Sequence, residues 1–260
     1  MNKKIPLLDN FYDDIPYLTP EKILGEFGEK IFKIVKKYKI KTAVITWIDS
    51  KKLFQVLDNC EFVGNDHVRQ TWVWNKKILI EVITIGAPVA AGTIEYFNCY
   101  GIKNVVAFGS AGCILDEFDA KNLLVVEKAI RDEGTSYHYL PATLFVDSNV
   151  ELSNKLTAFF NDKKIKNTKA ITWTTDAFFR ETKQRISKRV SQGAVAVEME
   201  CSALASVCKF YGMKFCQFLF FSDTIKNGSW EWTASLETKQ ENWDKRTALL
   251  ELAIEFAKNI

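Results

Sequence analysis

The hydrophobic pattern of the chain alternates between short apolar runs and segments with helical spacing. Apolar, often β-branched runs predict buried strands at residues 42–48, 104–108, 122–126, 170–174, 193–197 and 213–221. Apolar residues three and four positions apart predict helices at 23–38, 89–97, 149–160 and 199–211, and from 241 onward. Two further runs, 71–74 and 78–85, predict a hairpin. We therefore expect one α/β domain over residues 1–260, with an irregular segment at 1–18 and a central mixed, largely parallel sheet flanked by helices.

Two glutamates lie where the strand at 193–197 gives way to a helix. Glu198 and Glu200 need partners there, because a carboxylate beside a buried apolar strand is costly when it is unpaired. The N–H groups at a helix N-terminus are suitable partners. For Glu198, a role in capping the helix and a role in a functional site are equally supported. For Glu200, function is favoured, because the small residues of 201–206 allow its carboxylate to be aimed into a pocket.

Two glycine-containing segments follow neighbouring strands. Gly86-Ala87-Pro88 follows the second hairpin strand, with Pro88 placed to begin a helix, and Gly109-Ser110-Ala111-Gly112 follows the strand at 104–108. Turns of this kind let backbone N–H groups approach a ligand closely. An ordinary strand-to-helix connection explains the first segment equally well. Together the two segments predict a ligand crevice, because the strand ends of an α/β sheet converge at one edge.

Three other segments carry side chains suited to a site. Ser222-Asp223 follows the strand at 213–221, where an aspartate either caps a turn or takes part in chemistry. The polar mix at 131–139 predicts a loop that lines a site or an oligomer contact. The aromatic, polar stretch at 230–238 predicts a mobile loop.

In their order along the chain, these motifs resemble the nucleoside phosphorylase and nucleosidase superfamily, of the purine nucleoside and uridine phosphorylase type. The resemblance covers about residues 40 to 258. It is carried by Val197-Glu198-Met199-Glu200, by the segment from Lys103 to Gly112, by Gly86-Ala87-Pro88, by Asp176-Ala177-Phe178-Phe179 and by Ser222-Asp223. It implies a nucleoside phosphorylase-like fold and cleavage of a nucleoside N-glycosidic bond. Purine nucleosides are favoured, because purine-specific members carry Ser-Asp at this position.

The resemblance also implies a role for each site residue. Asp223 would supply the acid at N7 of the base, while Met199 packs on the ribose and Glu200 binds its hydroxyls. Phosphate would be the co-substrate, with no other cofactor and no metal, and the chain would form a homo-oligomer, a dimer or a hexamer. The remaining assignments are Phe178, Val197, Glu198 and Ser222 at the base, and Gly86, Ser110 and Lys52 at the phosphate.

The sequence departs from this pattern at the phosphate. Phosphorylases of this type usually carry Gly-Asp-Pro-x-Arg after the first strand, where this chain has Trp47-Ile48-Asp49-Ser50-Lys51-Lys52. They also carry an arginine where this chain has Ala107. Arginine holds phosphate by a bidentate fork that lysine lacks, although Lys51, Lys52 or Arg180 is a candidate substitute. Phosphorolysis giving ribose 1-phosphate is the leading hypothesis. Hydrolysis by water and non-catalytic nucleoside binding or storage are the alternatives.

Composition limits the other function classes. A net charge of +3 over 260 residues predicts neither a nucleic-acid nor a membrane partner, and no apolar run reaches the ~18 residues of a membrane helix. The six cysteines include no C-x-x-C pair, which predicts reduced, packed thiols in a cytoplasmic protein. His67 and His138 are far apart and show no metal-ligand spacing.

Overall fold

The structure is a computed structural model that describes residues 5–9, 11–12, 15–48, 54–55, 57–226, 229–232 and 239–260. The helices of this part of the chain are α1 Pro20–Ile23, α2 Gly25–Tyr38, α3 Ala87–Tyr100, α4 Val150–Asp162, α5 Lys183–Ser191, α6 Cys201–Phe210 and α7 Lys239–Ala257. Short 3-10 helices occur at Pro6–Leu8, Ser136–His138 and Phe178–Arg180. The strands are β1 Thr42–Thr46, β2 Cys60–Asn65, β3 Arg69–Trp74, β4 Ile78–Ile83, β5 Asn104–Cys113, β6 Leu123–Asp132, β7 Phe145–Asp147, β8 Asn167–Thr175, β9 Ala194–Glu198, β10 Lys214–Lys226 and β11 Ser229–Trp232.

All eleven described strands join one mixed sheet, in which β5 occupies the centre. β1 and β10 run parallel to β5 on its two sides, and the end of β9 pairs antiparallel with residues 112–113 of β5. The predicted α/β class with a mixed sheet is confirmed. The sheet is less parallel than predicted, because five of the described strand pairings are parallel and six are antiparallel.

Helices cover both faces of the sheet, and alternate residues of β5 contribute to each side. Val105 and Ala107 face a core cluster that includes residues of α2, α3 and α6. Val106 and Phe108 face a second cluster that includes residues of α4 and α7. This period-two alternation of a strand buried on both faces explains why the sequence at 105–108 is continuously apolar. No described helix combines the length and the apolar character needed to cross a membrane.

The segment Gly109-Ser110-Ala111-Gly112 is a continuation of β5, and its prediction as a turn was wrong. β10 pairs with it along its length, and β9 joins at Gly112. These glycines instead allow side chains from other segments to approach the backbone of β5 closely. A Cβ on Gly109 would lie 2.9 Å from the Trp47 ring, and one on Gly112 would lie 3.1 Å from Asp223 Oδ2.

Several other predicted boundaries shift because strand pairing extends the strands. β6 runs to Asp132, into the segment predicted as a loop, and β10 continues through Asp223 to Lys226. Residues 229–232 form β11 against β10, so this part of the predicted mobile loop is a strand, while 233–238 lie outside the described residues. The edge strand β2 was not predicted. The predicted first helix is divided at Leu24-Gly25, where Gly25 has a φ of 59°. The apolar residues of 53–57 also predict the start of a short helix, and part of this segment lies outside the described residues.

The polar segment at 131–139 is held by its own hydrogen bonds. The Arg131 guanidinium donates to the Ser136 and Thr143 hydroxyls and to the carbonyls of Leu140 and Pro141. Glu133 accepts from two backbone N–H groups of the same segment and from the Ser202 hydroxyl. These bonds satisfy a buried arginine and a buried glutamate, which gives the segment a structural role in anchoring the loop to α6.

Candidate active site

A cavity of about 730 Å³ opens at the ends of β5, β9 and β10. It brings together eight of the ten site residues expected from the sequence. These are Ser110, Phe178, Val197, Glu198, Met199, Glu200, Ser222 and Asp223. Gly86 does not line the cavity but bonds to a residue that does, and Lys52 lies outside the described residues. The convergence follows from the sheet, because neighbouring strands end at the same edge.

Glu198 holds the junction between β9 and α6. Its carboxylate accepts from the Thr174 hydroxyl at 2.5 Å and from the backbone N–H groups of Glu200 at 2.8 Å and Cys201 at 2.6 Å. The last two bonds satisfy donors at the start of α6, as a capping carboxylate does. Burial raises the pKa of Glu198 to about 7, and the three donors oppose that rise. Glu198 therefore has a structural role, and its contact with a base stays a prediction.

Glu200 links the starts of two helices at the cavity wall. Its Oε1 accepts the backbone N–H of Gly86 at 2.5 Å, which ties the loop before α3 to the residue before α6. The N–H that the sequence assigned to phosphate is therefore used by Glu200. Burial raises the pKa of Glu200 to about 8, with a further contribution from the negative charge of Glu198. A proton is thus held in this region near neutral pH.

Asp223 lies where the pairing of β10 with β5 shifts register, after Phe221. Its Oδ1 accepts from the Ser222 hydroxyl at 2.7 Å, and its Oδ2 accepts from the Trp230 indole N–H at 2.9 Å. Such a bulge re-aims the side chains that follow it. The absence of a side chain at Gly112 leaves room for the carboxylate beside β5.

A fourth carboxylate, Glu181, lines the same cavity and was not predicted. Burial raises its pKa to about 7, and the charge of Asp223 raises it further. No sequence motif marks Glu181, since it follows a 3-10 turn and is brought towards Asp223 only by the fold. Arg180, a candidate phosphate cation, is not among the described lining residues.

Two aromatic pairs form the rim of the cavity. The rings of Phe178 and Phe179 are 4.0 Å apart, and those of Trp230 and Trp232 are 4.8 Å apart. Phe178 and Trp230 are 46% and 53% exposed, so their faces are accessible to a ligand. Flat heterocycles stack on such rings. The tryptophans were not predicted as site residues, because the strand that carries them is recognisable only from its pairing with β10.

The inner wall is polar but carries no positive charge among the described lining residues. Gln217 is 1% exposed, and its side-chain oxygen has no hydrogen-bond partner. The Trp47 indole N–H, also buried, likewise has no partner. Ala107, at the position where the family's arginine is expected, is fully buried between Ile45 of β1 and Gln217 of β10.

No group of described residues has the three or more metal-ligating side chains that would hold an ion. The cavity instead offers aromatic faces, carboxylates that accept hydrogen bonds, and neutral polar groups. This combination suits a flat heterocycle joined to a hydroxyl-rich group.

A family model described as the phosphorylase superfamily matches residues 56–255, which is more than half of the chain. The chain belongs to the phosphorylase superfamily. The resemblance seen in the sequence is therefore confirmed at family level.

Named relatives in the superfamily are distant. The protein R802 of Acanthamoeba polyphaga mimivirus is 25% identical over 235 residues, covering 86% of this chain and 89% of the relative. A DeoD-type purine nucleoside phosphorylase of Bacillus cytotoxicus is 27% identical over 184 residues, covering 70% of this chain and 76% of the relative. The solved uridine phosphorylase of Vibrio fischeri ES114 matches with a TM-score of 0.70 and 21% identity, over 85% of this chain and 92% of that one. This last likeness shows the shared fold.

Proposed function

We propose that this phosphorylase superfamily protein cleaves the N-glycosidic bond of a purine nucleoside. The observation that carries the proposal is that Asp223, Met199 and Glu200 line one cavity whose rim is aromatic. Superfamily membership and the relatives named purine nucleoside phosphorylase support an enzyme of this kind. The preference for a purine base rests on Ser222-Asp223. The likeness in fold does not add to this preference, because a structural neighbour is named uridine phosphorylase.

At the base end, the heterocycle stacks on Phe178 and Trp230 while Asp223 binds N7. When the bond from the sugar to the base breaks, its electron pair goes to the base, and a proton delivered to N7 neutralises that charge. Glu181 keeps a proton up to about pH 7, and the charge of Asp223 helps to hold it there. We assign Asp223 as the acid that delivers this proton to N7.

At the sugar end, Met199 packs against the ribose and Glu200 binds its hydroxyl groups. The bond from the Gly86 N–H fixes the orientation of the Glu200 carboxylate before substrate arrives. Fixing a catalytic contact in advance lowers the entropic cost of reaching the transition state. Val197, Glu198 and Ser222 complete the wall beside the base.

Phosphate is one candidate acceptor, and the family and the names of the relatives support it. Its oxygen would bond to the anomeric carbon and give ribose 1-phosphate. Ser110 lines the cavity and offers a hydroxyl donor, while Lys52 stays a predicted contact. No other cofactor is proposed.

Water is the second candidate, and the charge of the cavity favours it. Its described lining has four carboxyl groups and no cation, so it offers no positive charge that would bind a phosphate dianion. In hydrolysis, the water oxygen bonds to the anomeric carbon, its released proton goes to a cavity carboxylate, and the products are the base and free ribose. The third hypothesis, nucleoside binding or storage without turnover, predicts binding alone.

One experiment separates these functions. The protein is incubated with inosine, and in parallel with uridine, each with and without inorganic phosphate, and the sugar product is identified. Ribose 1-phosphate formed only with phosphate indicates phosphorolysis, free ribose in both conditions indicates hydrolysis, and faster cleavage of uridine contradicts the purine proposal. No turnover of either nucleoside refutes the enzyme proposal. Homo-oligomerisation and a cytoplasmic location stay predictions, the first to be tested by sedimentation.

A further inference from the structure

Seven lysines lie together at the edge of the sheet where β1, β4 and β5 begin. Three segments meet there, namely residues 36–41 between α2 and β1, residues 74–78 at the turn between β3 and β4, and residues 100–104 before β5. These segments contain seven lysines and no aspartate or glutamate. This surface, the lysine edge, consists of Lys36, Lys37, Lys39, Lys41, Lys76, Lys77 and Lys103.

Strand register places three of these lysines in a row. The first residues of β4, β1 and β5 are in register with one another, and each is directly preceded by a lysine. In the order of the strands these are Lys77, Lys41 and Lys103. Because neighbouring strands lie about 4.8 Å apart, the backbones of the three lysines span about 10 Å. The backbone N–H of Lys103 donates to the Lys41 carbonyl at 2.8 Å, which holds these two residues side by side.

The end of α2 and the turn after β3 add further cations beside this row. A Cβ on Gly101 would lie 3.5 Å from Lys36 Nζ and 3.8 Å from Lys41 Nζ, so these two ammonium groups are near neighbours. Lys37 Nζ and Lys76 Nζ lie 5.2 Å and 5.5 Å from the centre of the tyrosine ring that ends α2. The lysine edge is therefore one continuous surface.

The positive charge of the lysine edge is not neutralised by the described part of the chain. All seven lysines are exposed, and none forms an ion pair with a described carboxylate. Asp58 borders the surface, since the carbonyl of Asn59 accepts the N–H of Asn75 at the turn. The dipole of α2 favours lysines at its own end, but it does not explain those at the turn or before β5. Like charges this close repel, and an anionic partner relieves that repulsion.

The residues around the lysines favour one class of anionic partner. Protein interfaces and insertion into a membrane both use exposed apolar side chains, whereas the large hydrophobic residues of the three segments are buried or half-buried. The segments contain no arginine, the side chain most suited to reading a base edge. Exposed lysines in a polar surface are instead suited to phosphate groups, as in sequence-independent contacts to nucleic acid.

We propose that the lysine edge binds the phosphate backbone of a nucleic acid without sequence preference. The net charge of +3 is an average over the whole chain, which is why composition alone predicts no such partner. β5 begins at the lysine edge, and its residues 109–112 line the cavity about 20 Å further along the strand. A nucleic acid on the lysine edge therefore leaves the cavity open. The inference goes beyond the proposed function and does not depend on it.

The test measures binding of the full chain to a labelled RNA strand of about 20 nucleotides and, in parallel, to a DNA duplex of the same length. Fluorescence anisotropy should give a Kd of roughly 1–100 µM at about 150 mM salt, the range of non-specific binding. For the RNA strand, the logarithm of the binding constant should fall with the logarithm of the salt concentration with a slope of about −2 to −4. The comparison of RNA with DNA shows which nucleic acid is preferred, and binding of either supports the proposal.

A triple variant locates the binding surface. Lys41→Gln, Lys77→Gln and Lys103→Gln together remove the row of three cations. This variant should bind RNA at least about tenfold more weakly at about 50 mM salt, and its salt slope should be shallower by about 2, since each lost phosphate contact on a single strand contributes about 0.7. Should it not fold, as judged by its thermal midpoint, the combination of Lys36→Gln, Lys37→Gln and Lys76→Gln carries the same expectation.

The matched control removes the same charge from elsewhere on the surface. Lys121→Gln, Lys166→Gln and Lys188→Gln replace three exposed lysines that lie before β6, before β8 and on α5. Both triple variants lower the net charge by three. The control should change the Kd for RNA by less than about threefold, because its lysines lie outside the lysine edge.

Three outcomes would overturn the proposal. The first is no binding of either nucleic acid at about 50 mM salt, where phosphate contacts are strong. The second is an equal loss of binding in the lysine-edge variant and the control, which would show that net charge alone matters. The third is tighter binding of a poly-glutamate peptide or of anionic lipid vesicles than of RNA at the same salt concentration, which would exclude nucleic acid as the preferred partner.

Discussion

At the scale of single residues, carboxylates in the same cavity have different partners and therefore different tasks. Glu198 accepts four hydrogen bonds from its own chain, two of them from the start of α6. Glu200 accepts one from the distant Gly86, and Asp223 accepts two from side chains at the end of β10 and on β11. The partners, rather than the residue type, distinguish the structural carboxylate from the two assigned to the substrate.

Replacing Glu200 tests the sugar contact. Glu200→Gln is isosteric, so the protein should fold. The activation free energy that corresponds to kcat/KM for a purine nucleoside should rise by about 2 kcal/mol, the scale of leaving a hydrogen-bonding group unsatisfied. Glu198→Gln is the matched comparison. It should lower the thermal midpoint more than Glu200→Gln does, because it weakens the cap of α6. Unchanged kinetics in folded Glu200→Gln would remove this residue from the sugar site.

Replacing Asp223 tests the acid at the base. Asp223→Asn cannot donate a proton from a carboxyl group, so cleavage of inosine should slow by about 100-fold or more. A nucleoside methylated at N7 already carries the positive charge, and its cleavage should change by less than about threefold. Steady-state kinetics on both substrates provide the measurement, and equal losses on the two would contradict the acid role.

At the scale of elements, β5 positions the site through its two glycines. Trp47 packs against β5 at Gly109, while Asp223 and Val197 pack against it at Gly112. The strand thus brings together side chains from the end of β1, the end of β9 and the bulge of β10. A side chain on either glycine would push these groups away from the cavity, so the geometry of the site depends on close backbone approach.

Adding a methyl group to β5 tests this arrangement. Gly112→Ala should shift the Asp223 carboxylate, lower kcat on inosine by about tenfold, and destabilise the fold by about 1–3 kcal/mol, as overpacking does. Gly92→Ala is the control, because a Cβ there meets nothing within 4 Å in the middle of α3. It should stabilise the protein by about 0.5–1 kcal/mol without a kinetic effect. Chemical denaturation and steady-state assays of both variants check these expectations, and wild-type behaviour of Gly112→Ala would show that β5 tolerates the methyl group.

At the scale of the whole molecule, buried carboxyl groups make stability depend on pH. Burial raises the pKa of Glu81 and Glu200 to about 8 and that of Glu181 and Glu198 to about 7, from an ordinary value of 4.5. At a pH between 4.5 and these raised pKa values, the folded protein holds protons that the unfolded chain releases. The stabilisation is fully present below about pH 4.5 and is lost as pH rises through the folded pKa values.

The free energy of unfolding should therefore fall as pH rises from about 5 to about 8. Glu81→Gln should make this dependence shallower, because Glu81 is fully buried on β4, where its carboxyl group accepts a hydrogen bond from the Thr71 hydroxyl. The exposed Glu61→Gln on β2 is the control and should leave the slope unchanged. Urea denaturation at several pH values gives the measurement, and parallel slopes for wild-type and Glu81→Gln proteins would contradict the assignment.

Much of the candidate site could be predicted from the chain alone. Val197-Glu198-Met199-Glu200 and Ser222-Asp223 each combine an apolar strand with the polar residues that follow it, and strand ends in an α/β sheet converge. Glu181, Gln217 and Trp47 were not assigned roles at the site, because their significance depends on neighbours far away in the sequence. The course of β5 through its glycines, and the strand at 229–232, depended likewise on pairing partners that a local pattern does not reveal.

Local periodicity and motif order were sufficient to establish the alternation of strands and helices, the family, and the acidic and aromatic residues available for chemistry. The partners of those residues are known only from the three-dimensional fold. It gave the Gly86 N–H to Glu200, placed Glu181 beside the charge of Asp223, and left Gln217 Oε1 without a partner in the cavity wall. The physical reason is that hydrogen bonding and desolvation act between atoms that are close in space, and the sheet brings together atoms that are more than a hundred residues apart in the chain.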